Sequence, residues 1–188
     1  FFQAEDGIRD FCLSRGLGDV YKRQDNDTLP SILIKELTKR NQTIVFAESC
    51  TGGLLSSSLT SISGSSKVFQ GSIVSYSNEL KNSLLNISEE KLTKYGAVSE
   101  EVCEAMAINV KEKLGADWAI AISGIAGPNG GSQDKPVGLV YISISGPNNH
   151  ITNIKKLFNS TRNRVEIQTL SVNVCLNSLR LILLSNSK

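Results

Sequence analysis

Histidine is almost absent from this chain of 188 residues: His150 is the only one. It lies in the polar turn 146–150 between two predicted strands, so the sequence argues against a Ser-His-Asp triad, in which a histidine takes the proton of the serine. Cysteine is also scarce. With Cys12 set aside for the reason given below, Cys50, Cys103 and Cys175 lack the paired spacing of a zinc site or a disulfide framework. We therefore expect reduced, mostly buried thiols and no metal site.

A strong excess of charge of either sign is missing as well. The formal net charge is +2, which is too small to predict a nucleic-acid-binding protein. No uninterrupted apolar run approaches the roughly 18 residues that span a bilayer. We expect a soluble, cytoplasmic protein with neither nucleic-acid nor membrane partners.

The first 24 residues resemble translated adapter DNA more than a protein segment. Reverse-translated, residues 3–10 and 14–24 each fit a sequencing-library adapter, and residues 11–13 occupy the space of an index tag plus one adapter base. The alternative is an ordinary polar amphipathic leader. We predict that residues 1–24 are adapter-derived and that the genuine chain starts at or before Asp25. Residues 25–188 then have the length of one compact domain.

Apolar periodicity divides these residues into alternating helices and strands. Leu29, Leu33 and Leu37 recur at helical spacing, and residues 43–47 form a short apolar run typical of a buried strand. Five further helices are predicted: one that ends near residue 62, one over 77–85, one after Ser88, one after Ser99 and one from about 161. Four further strands are predicted, over 68–76, 119–122, 137–145 and 151–158. This order predicts a three-layer α/β/α sandwich with a mixed, mainly parallel sheet.

Ser49 lies where the first predicted strand turns into a helix. A helix start aims free backbone N–H groups at a ligand, and Gly52 and Gly53 permit close approach of a phosphate or a developing oxyanion. This position suits a nucleophile, although Ser49 or Thr51 can equally serve only as a helix cap. Cys50 is a rival nucleophile. Since no histidine lies near it in sequence, we prefer a packed thiol.

A nucleophilic serine needs a base, and a lysine can act as one when burial or a neighbouring cation lowers its pKa. Lys81 is a candidate because it lies on the first turn of the helix that follows the second predicted strand. Taken alone, it reads more simply as a solvated helix lysine. Spacing does not choose among the lysines.

The glycine-rich stretch 123–132 follows the strand 119–122 and leaves backbone N–H groups accessible to phosphate or sugar. Its candidate binding residues are Ser123, Gly124, Gly127, Gly130, Gly131 and Ser132. The stretch lacks the ending of a P-loop and the dinucleotide fingerprint, so ATP or NAD binding through those motifs is disfavoured. A structural loop is the alternative. Arg162 can pair with an anionic ligand, although a helix-start arginine is more often exposed.

Four motifs taken together resemble the C-terminal domain family of the competence/damage-inducible protein CinA. They are 47–53 (AESCTGG), 76–78 (YSN), 96–100 (GAVSE) and 122–128 (ISGIAGP) with 130–132 (GGS), within a resemblance over residues 33–183. The resemblance implies hydrolysis of the amide of nicotinamide mononucleotide to nicotinate mononucleotide and ammonia, in pyridine nucleotide recycling. It also implies that Ser49 is the nucleophile, that Lys81 is its base, and that no cofactor is needed.

Two further residues match the family. We infer that Tyr76 hydrogen-bonds within the site and that Arg162 binds the substrate phosphate, while Thr51, Gly52, Gly53 and the glycine-rich stretch complete the substrate site. A homo-oligomer such as a dimer is expected. The alternative function is a non-catalytic nucleotide-binding or assembly domain of a larger CinA-like protein. A nucleic-acid-binding competence factor has no basic patch or aromatic stacking motif to support it.

Overall fold

The computed structural model describes residues 28–185, which build one five-stranded sheet with helices on both faces. The helices are α1 (Leu29–Arg40), α2 (Leu54–Thr60), α3 (Asn78–Leu85), α4 (Glu89–Tyr95), α5 (Glu100–Leu114) and α6 (Arg164–Ser185). The strands are β1 (Ile44–Glu48), β2 (Phe69–Val74), β3 (Trp118–Gly124), β4 (Leu139–Ser145) and β5 (Ile151–Leu157), with a short 3₁₀ turn at Ser65–Lys67. The predicted adapter segment 1–24 lies outside the described residues.

The strand order in the sheet is β2-β1-β3-β4-β5. The strand β1 pairs in parallel with both β2 and β3, whereas β4 runs antiparallel to both of its neighbours. Only β4 is therefore reversed within this sheet, which confirms the predicted mixed, mainly parallel arrangement. Because parallel strands end at the same edge, the segments that follow β1, β2 and β3 are brought together there.

Side-chain alternation along the strands separates two cores. Ile44 and Phe46 of β1 pack with α1, α2 and α6, whereas Val45 and Ala47 pack on the opposite face with α3, α4 and α5. All residues of β1 are buried, as expected for a central strand covered on both faces. These two cores confirm the three-layer α/β/α sandwich.

Helix α6 has the length and composition of a membrane span, with a mean hydropathy of 1.4 over 18 residues. No uninterrupted apolar run marks this helix in the sequence, because polar residues are spaced along it. Ile167, Leu176 and Leu179 of α6 lie in the core on the α1 and α2 face of the sheet. Packing in the core thus buries part of the apolar surface of α6.

Most predicted boundaries lie within a few residues of the observed ones, and serine caps explain several of them. Ser77 accepts a hydrogen bond from the amide of Leu80 at 3.2 Å and begins α3, and Ser99 begins α5 in the same way. Strand β2 ends at Val74, two residues earlier than predicted. Residues 75–77 therefore form a loop at the sheet edge.

Candidate active site

Ser49 follows the last residue of β1 at the edge where the parallel strands end. Its amide donates a hydrogen bond to the carbonyl of Ile122 at 3.1 Å, which extends the pairing of β1 with β3 by one residue. Continuing the alternation of Val45 and Ala47 puts its side chain on the α5 face of the sheet. The residue is only 9% exposed. Its hydroxyl is thus held by a rigid strand and turned toward the α3, α4 and α5 layer.

Lys81 lies on α3 and reaches this hydroxyl. Its Nζ is 3.1 Å from Ser49 Oγ and 2.6 Å from the carbonyl oxygen of Ser75, in the loop after β2. Lys81 is 1% exposed, which is unusual for a lysine. Two residues predicted separately from the sequence, 32 positions apart, therefore form a direct contact.

The surroundings of Lys81 favour its neutral form. Burial lowers the pKa of the Lys81 amine, because an enclosed ammonium loses its hydration. The nearby thiols of Cys50 and Cys103 raise this pKa, but burial is the larger effect. A neutral amine keeps one N–H for the Ser75 carbonyl and presents a lone pair to the serine hydroxyl. The geometry thus permits proton transfer from Ser49 to Lys81.

Glu48 precedes the serine, and alternation directs its side chain to the other face of the sheet. There its fully buried carboxylate accepts five hydrogen bonds from residues at the start of α2. The donors are the amides of Gly53, Leu55 and Ser56 and the hydroxyls of Thr51 and Ser56. The positive end of the helix is therefore neutralised by an internal anion.

This arrangement changes the expected roles of three residues. The amide of Gly53 donates to Glu48 at 3.0 Å, the Thr51 hydroxyl donates to Glu48 at 2.7 Å, and the amide of Gly52 donates to Ser49 O at 3.1 Å. Both glycines adopt left-handed φ angles, 61° and 102°, which explains why glycine suits these positions. In this conformation, the predicted substrate-binding groups of these residues are engaged in shaping the turn.

Within the described part of the chain, the amides of Cys50 and Thr51 donate no hydrogen bond to another residue. The amide of Cys50 directly follows Ser49, and that of Thr51 comes one residue later; in serine hydrolases of the nucleophile-elbow type, the amide that follows the serine is an oxyanion donor. The Cys50 thiol itself is buried, and burial raises its pKa to about 12. It therefore remains protonated near neutral pH, which makes it a poor rival to Ser49.

Arg164, which the sequence argument did not single out, connects three segments around the site. At the start of α6, its guanidinium donates to the carbonyl of Gly127 at 3.0 Å and to the hydroxyl of Tyr76 at 2.8 Å. Tyr76 is 58% exposed, and its hydroxyl has no hydrogen bond to Ser49 or Lys81 among the described contacts. The structure thus puts Tyr76 on the rim with Arg164. The predicted Arg162 is exposed, and no side-chain hydrogen bond is observed for it among residues 28–185.

The glycine-rich stretch divides into a structural start and an open loop. Ser123 is fully buried and donates to the carbonyl of Ala97 at 2.7 Å. A side chain at Gly124 would approach the Leu139 carbonyl to 2.7 Å, so glycine is needed there for close strand packing. Gly130, Gly131 and Ser132 are exposed and line an open concavity formed by residues 128–133, 136, 137 and 160. Neither Ser49 nor Lys81 lines it.

Comparison with known protein families decides the relationship. The family described as CinA C-terminal domain matches residues 26–183, most of the chain. The chain belongs to the CinA C-terminal domain family. The resemblance inferred from the four motifs is thereby confirmed.

Individual relatives of this CinA C-terminal domain agree with the assignment. A CinA-like protein of Prochlorococcus marinus (strain AS9601) is 93% identical over 165 residues, which cover 88% of this chain and 39% of the relative. A CinA-like protein of Gloeothece citriformis is 48% identical, with 87% and 39% covered. The chain thus spans about two fifths of the length of these relatives.

Solved structures give the same result for the fold. A competence/damage-inducible protein from Agrobacterium tumefaciens matches with a TM-score of 0.80 at 37% identity, covering 82% of this chain and 93% of that one. A CinA superfamily protein from Escherichia coli matches with a TM-score of 0.78 at 29% identity, covering 87% and 95%. The domain therefore has the fold of these CinA proteins.

Proposed function

We propose that this CinA C-terminal domain is a serine/lysine amidohydrolase that converts nicotinamide mononucleotide to nicotinate mononucleotide and ammonia. The observation that carries the proposal is the contact of 3.1 Å between Lys81 Nζ and Ser49 Oγ, made by a lysine that is 1% exposed. Enclosing a lysine costs stability, and its contact with a strand-end serine is explained by the chemistry that a neutral amine makes possible.

The reaction follows from this pair. Lys81 takes the proton of the Ser49 hydroxyl while the serine oxygen attacks the carboxamide carbon. The amides of Cys50 and Thr51 then stabilise the oxyanion. Lys81 then gives the proton to the carboxamide nitrogen and the C–N bond breaks. Ammonia departs, and the acyl group stays on Ser49 as an ester. Water hydrolyses the ester, with Lys81 again taking and returning a proton, so that the serine is regenerated.

Recognition of a mononucleotide requires a cation for its phosphate and polar groups for its ribose. Arg164 lies beside Gly127 and Tyr76 on the rim, and a guanidinium suits phosphate because several of its N–H donors point the same way. The exposed loop with Gly130, Gly131 and Ser132 offers backbone groups to the rest of the substrate. A cytoplasmic location accords with such a substrate. The expected homo-oligomer stays a prediction.

The alternative is a non-catalytic nucleotide-binding or assembly domain within a longer protein. The names of the relatives say only CinA-like or competence/damage-inducible, and the CinA-like protein of Prochlorococcus marinus (strain AS9601) extends well beyond the matched part. A non-catalytic domain has no need of a buried lysine on a serine hydroxyl, which is why the amidase is preferred.

Ammonia release from nicotinamide mononucleotide tests the proposal. Ser49→Ala should lower kcat by at least about a hundredfold while the substrate still binds in isothermal titration calorimetry, because the glycine-rich loop and Arg164 are unchanged. The matched control is Cys50→Ala, one residue further along the same turn, which should keep most of the activity. Absence of ammonia release by the folded wild-type domain would favour the non-catalytic alternative. Activity that depends on Cys50 and not on Ser49 would make the protein a cysteine amidase.

A further inference from the structure

Ser75 is fully enclosed, and its side-chain hydroxyl has no hydrogen-bond partner in the described part of the chain. Its backbone groups are engaged on both sides. The amide donates to the carbonyl of Glu48 at 2.9 Å, and the carbonyl accepts the hydrogen bond from Lys81 at 2.6 Å. A buried hydroxyl without a partner destabilises a fold, so its presence beside the catalytic pair calls for an explanation.

The lysine amine contacts the backbone carbonyl of the same residue, Ser75. Ile73 packs in the core on the α3, α4 and α5 face, and Ser75, two residues later, follows the same side of the sheet. Covalent geometry keeps a serine Oγ within about 5 Å of its own carbonyl oxygen, which is the atom that Lys81 contacts. Rotation among the staggered χ1 positions turns such a hydroxyl toward a neighbour or away from it.

Lys81 needs one more acceptor than its observed contacts supply. A lysine ammonium has three N–H donors, and the two acceptors in contact are Ser49 Oγ and the Ser75 carbonyl. The ionisable groups that face Lys81 from the neighbouring elements are the thiols of Cys50, after β1, and Cys103, on α5. Thiols are weak acceptors. Once the lysine takes the serine proton, its third N–H is therefore left without a strong acceptor in an enclosed site.

We propose that Ser75 is a positioning residue whose hydroxyl accepts the third N–H of Lys81 when the lysine is protonated. This rests on the proposed function only in taking Ser49 as the nucleophile and Lys81 as its base. Ser75 is fully enclosed, so we assign it a role that acts through Lys81. Its hydroxyl supports the charged lysine during proton transfer and stays unpaired when the lysine is neutral.

Ser75→Ala tests this inference directly. Loss of an unpaired hydroxyl should leave the melting temperature equal to or above that of the wild type. The value of kcat should nevertheless fall by about tenfold, since a hydrogen bond to a charged group is lost, while KM changes little. The rising limb of kcat/KM against pH should move to lower pH, because the protonated form of Lys81 loses an acceptor.

Ser72→Ala is the matched control. Ser72, on β2, also has a buried hydroxyl without a partner, but it pairs with Phe46, three residues before the nucleophile. By alternation its side chain lies on the opposite face of the sheet from Ser75. Its removal should leave both kcat and the pH profile unchanged. A wild-type pH profile in Ser75→Ala, or an equal shift in both variants, would overturn the inference.

Ser75→Cys separates hydrogen bonding from packing. A thiol fills the space of the hydroxyl but is a weak acceptor, so this variant should resemble the alanine variant in kcat and pH profile. Wild-type kinetics in Ser75→Cys beside a slow Ser75→Ala would mean that only volume matters, and the inference would be wrong. The cysteine variant also keeps the test available if the alanine variant does not fold.

Failure of the proposed function can be told apart from failure of this inference. Phosphonylation of Ser49 by a fluorophosphonate probe needs only an activated serine, whatever the natural substrate. If the wild type labels but releases no ammonia from nicotinamide mononucleotide, the proposed function fails, and the pH dependence of labelling in Ser75→Ala and Ser72→Ala still tests Ser75. If the wild type both labels and releases ammonia, and Ser75→Ala and Ser72→Ala label alike at every pH, only the role of Ser75 is refuted.

Discussion

At the scale of the residue, Lys81 differs from the other lysines between residues 28 and 185 in being almost wholly enclosed, with 1% of its surface exposed. Elsewhere in the described chain, lysines sit at the surface or contact carbonyl groups near it, as Lys111 does with Gly146 at 2.7 Å. Burial lowers the pKa of Lys81, so the neutral form becomes available at lower pH than for an ordinary lysine.

The pH dependence of turnover should report this ionisation. In the proposed mechanism the neutral amine is the active form; because its pKa is lowered, kcat/KM should rise with pH along an ionisation below the ordinary lysine value of 10.5 and then level off. Lys81→Arg should be nearly inactive, since guanidinium stays protonated across the accessible range. Steady-state assays from acid to alkaline pH, with circular dichroism as the folding control, check this. A folded arginine variant that keeps more than about a tenth of the activity would mean that Lys81 acts only through its charge.

At the scale of the element, the start of α2 depends on Glu48. Replacing this carboxylate with the amide of Glu48→Gln substitutes an N–H donor for one acceptor oxygen, so buried amides of α2 lose their partner. We expect the free energy of unfolding to fall by about 2–4 kcal/mol, measured by urea denaturation. Thr51→Val, which removes one hydroxyl donor at nearly constant volume, should cost only about 1 kcal/mol. Equal stability of Glu48→Gln and the wild type would contradict this account of the helix start.

The start of α6 offers a second prediction, because it carries two arginines that are candidates for binding the phosphate of the proposed substrate. Arg164 contacts Gly127 and Tyr76, whereas Arg162 is exposed and has no such contacts in the structure. Arg164→Ala should raise KM for nicotinamide mononucleotide by about tenfold or more, and Arg162→Ala by less than about threefold. With nicotinamide riboside, which lacks the phosphate, Arg164→Ala should raise KM by a smaller factor. The opposite ranking would return the phosphate to Arg162, as we inferred from the sequence.

At the scale of the whole molecule, the described fold comprises residues 28–185, and the prediction that residues 1–24 derive from adapter DNA stays untested. A segment without an evolved partner surface contributes little to folding. Deleting residues 1–24 should therefore change the melting temperature by less than about 2 °C and leave ammonia release unchanged. A loss of several degrees, measured by differential scanning calorimetry, would show that the segment belongs to the fold.

The fold could be predicted well because its signals are local. The helical spacing of Leu29, Leu33 and Leu37 and the serine caps at Ser77 and Ser99 act over a few residues and anticipate the helices within small errors. The strands were recognisable as short apolar runs. The turn 146–150 likewise predicted that the last two strands form an antiparallel hairpin. The strand order depends on contacts between distant segments, which periodicity does not encode.

The amino-acid sequence was enough to predict the helices and strands of this protein, its family, and the residue types available for chemistry, among them a serine at a strand end and a single histidine. The tertiary structure decided which of them meet. It joined Ser49 to Lys81, turned Glu48 inward to α2, enclosed Ser75 and brought Arg164 rather than Arg162 to the rim. The physical reason is that local alternation sets the face of the sheet on which a strand side chain lies. The residue that it contacts there depends on the order of the strands and on the packing of helices across the sheet.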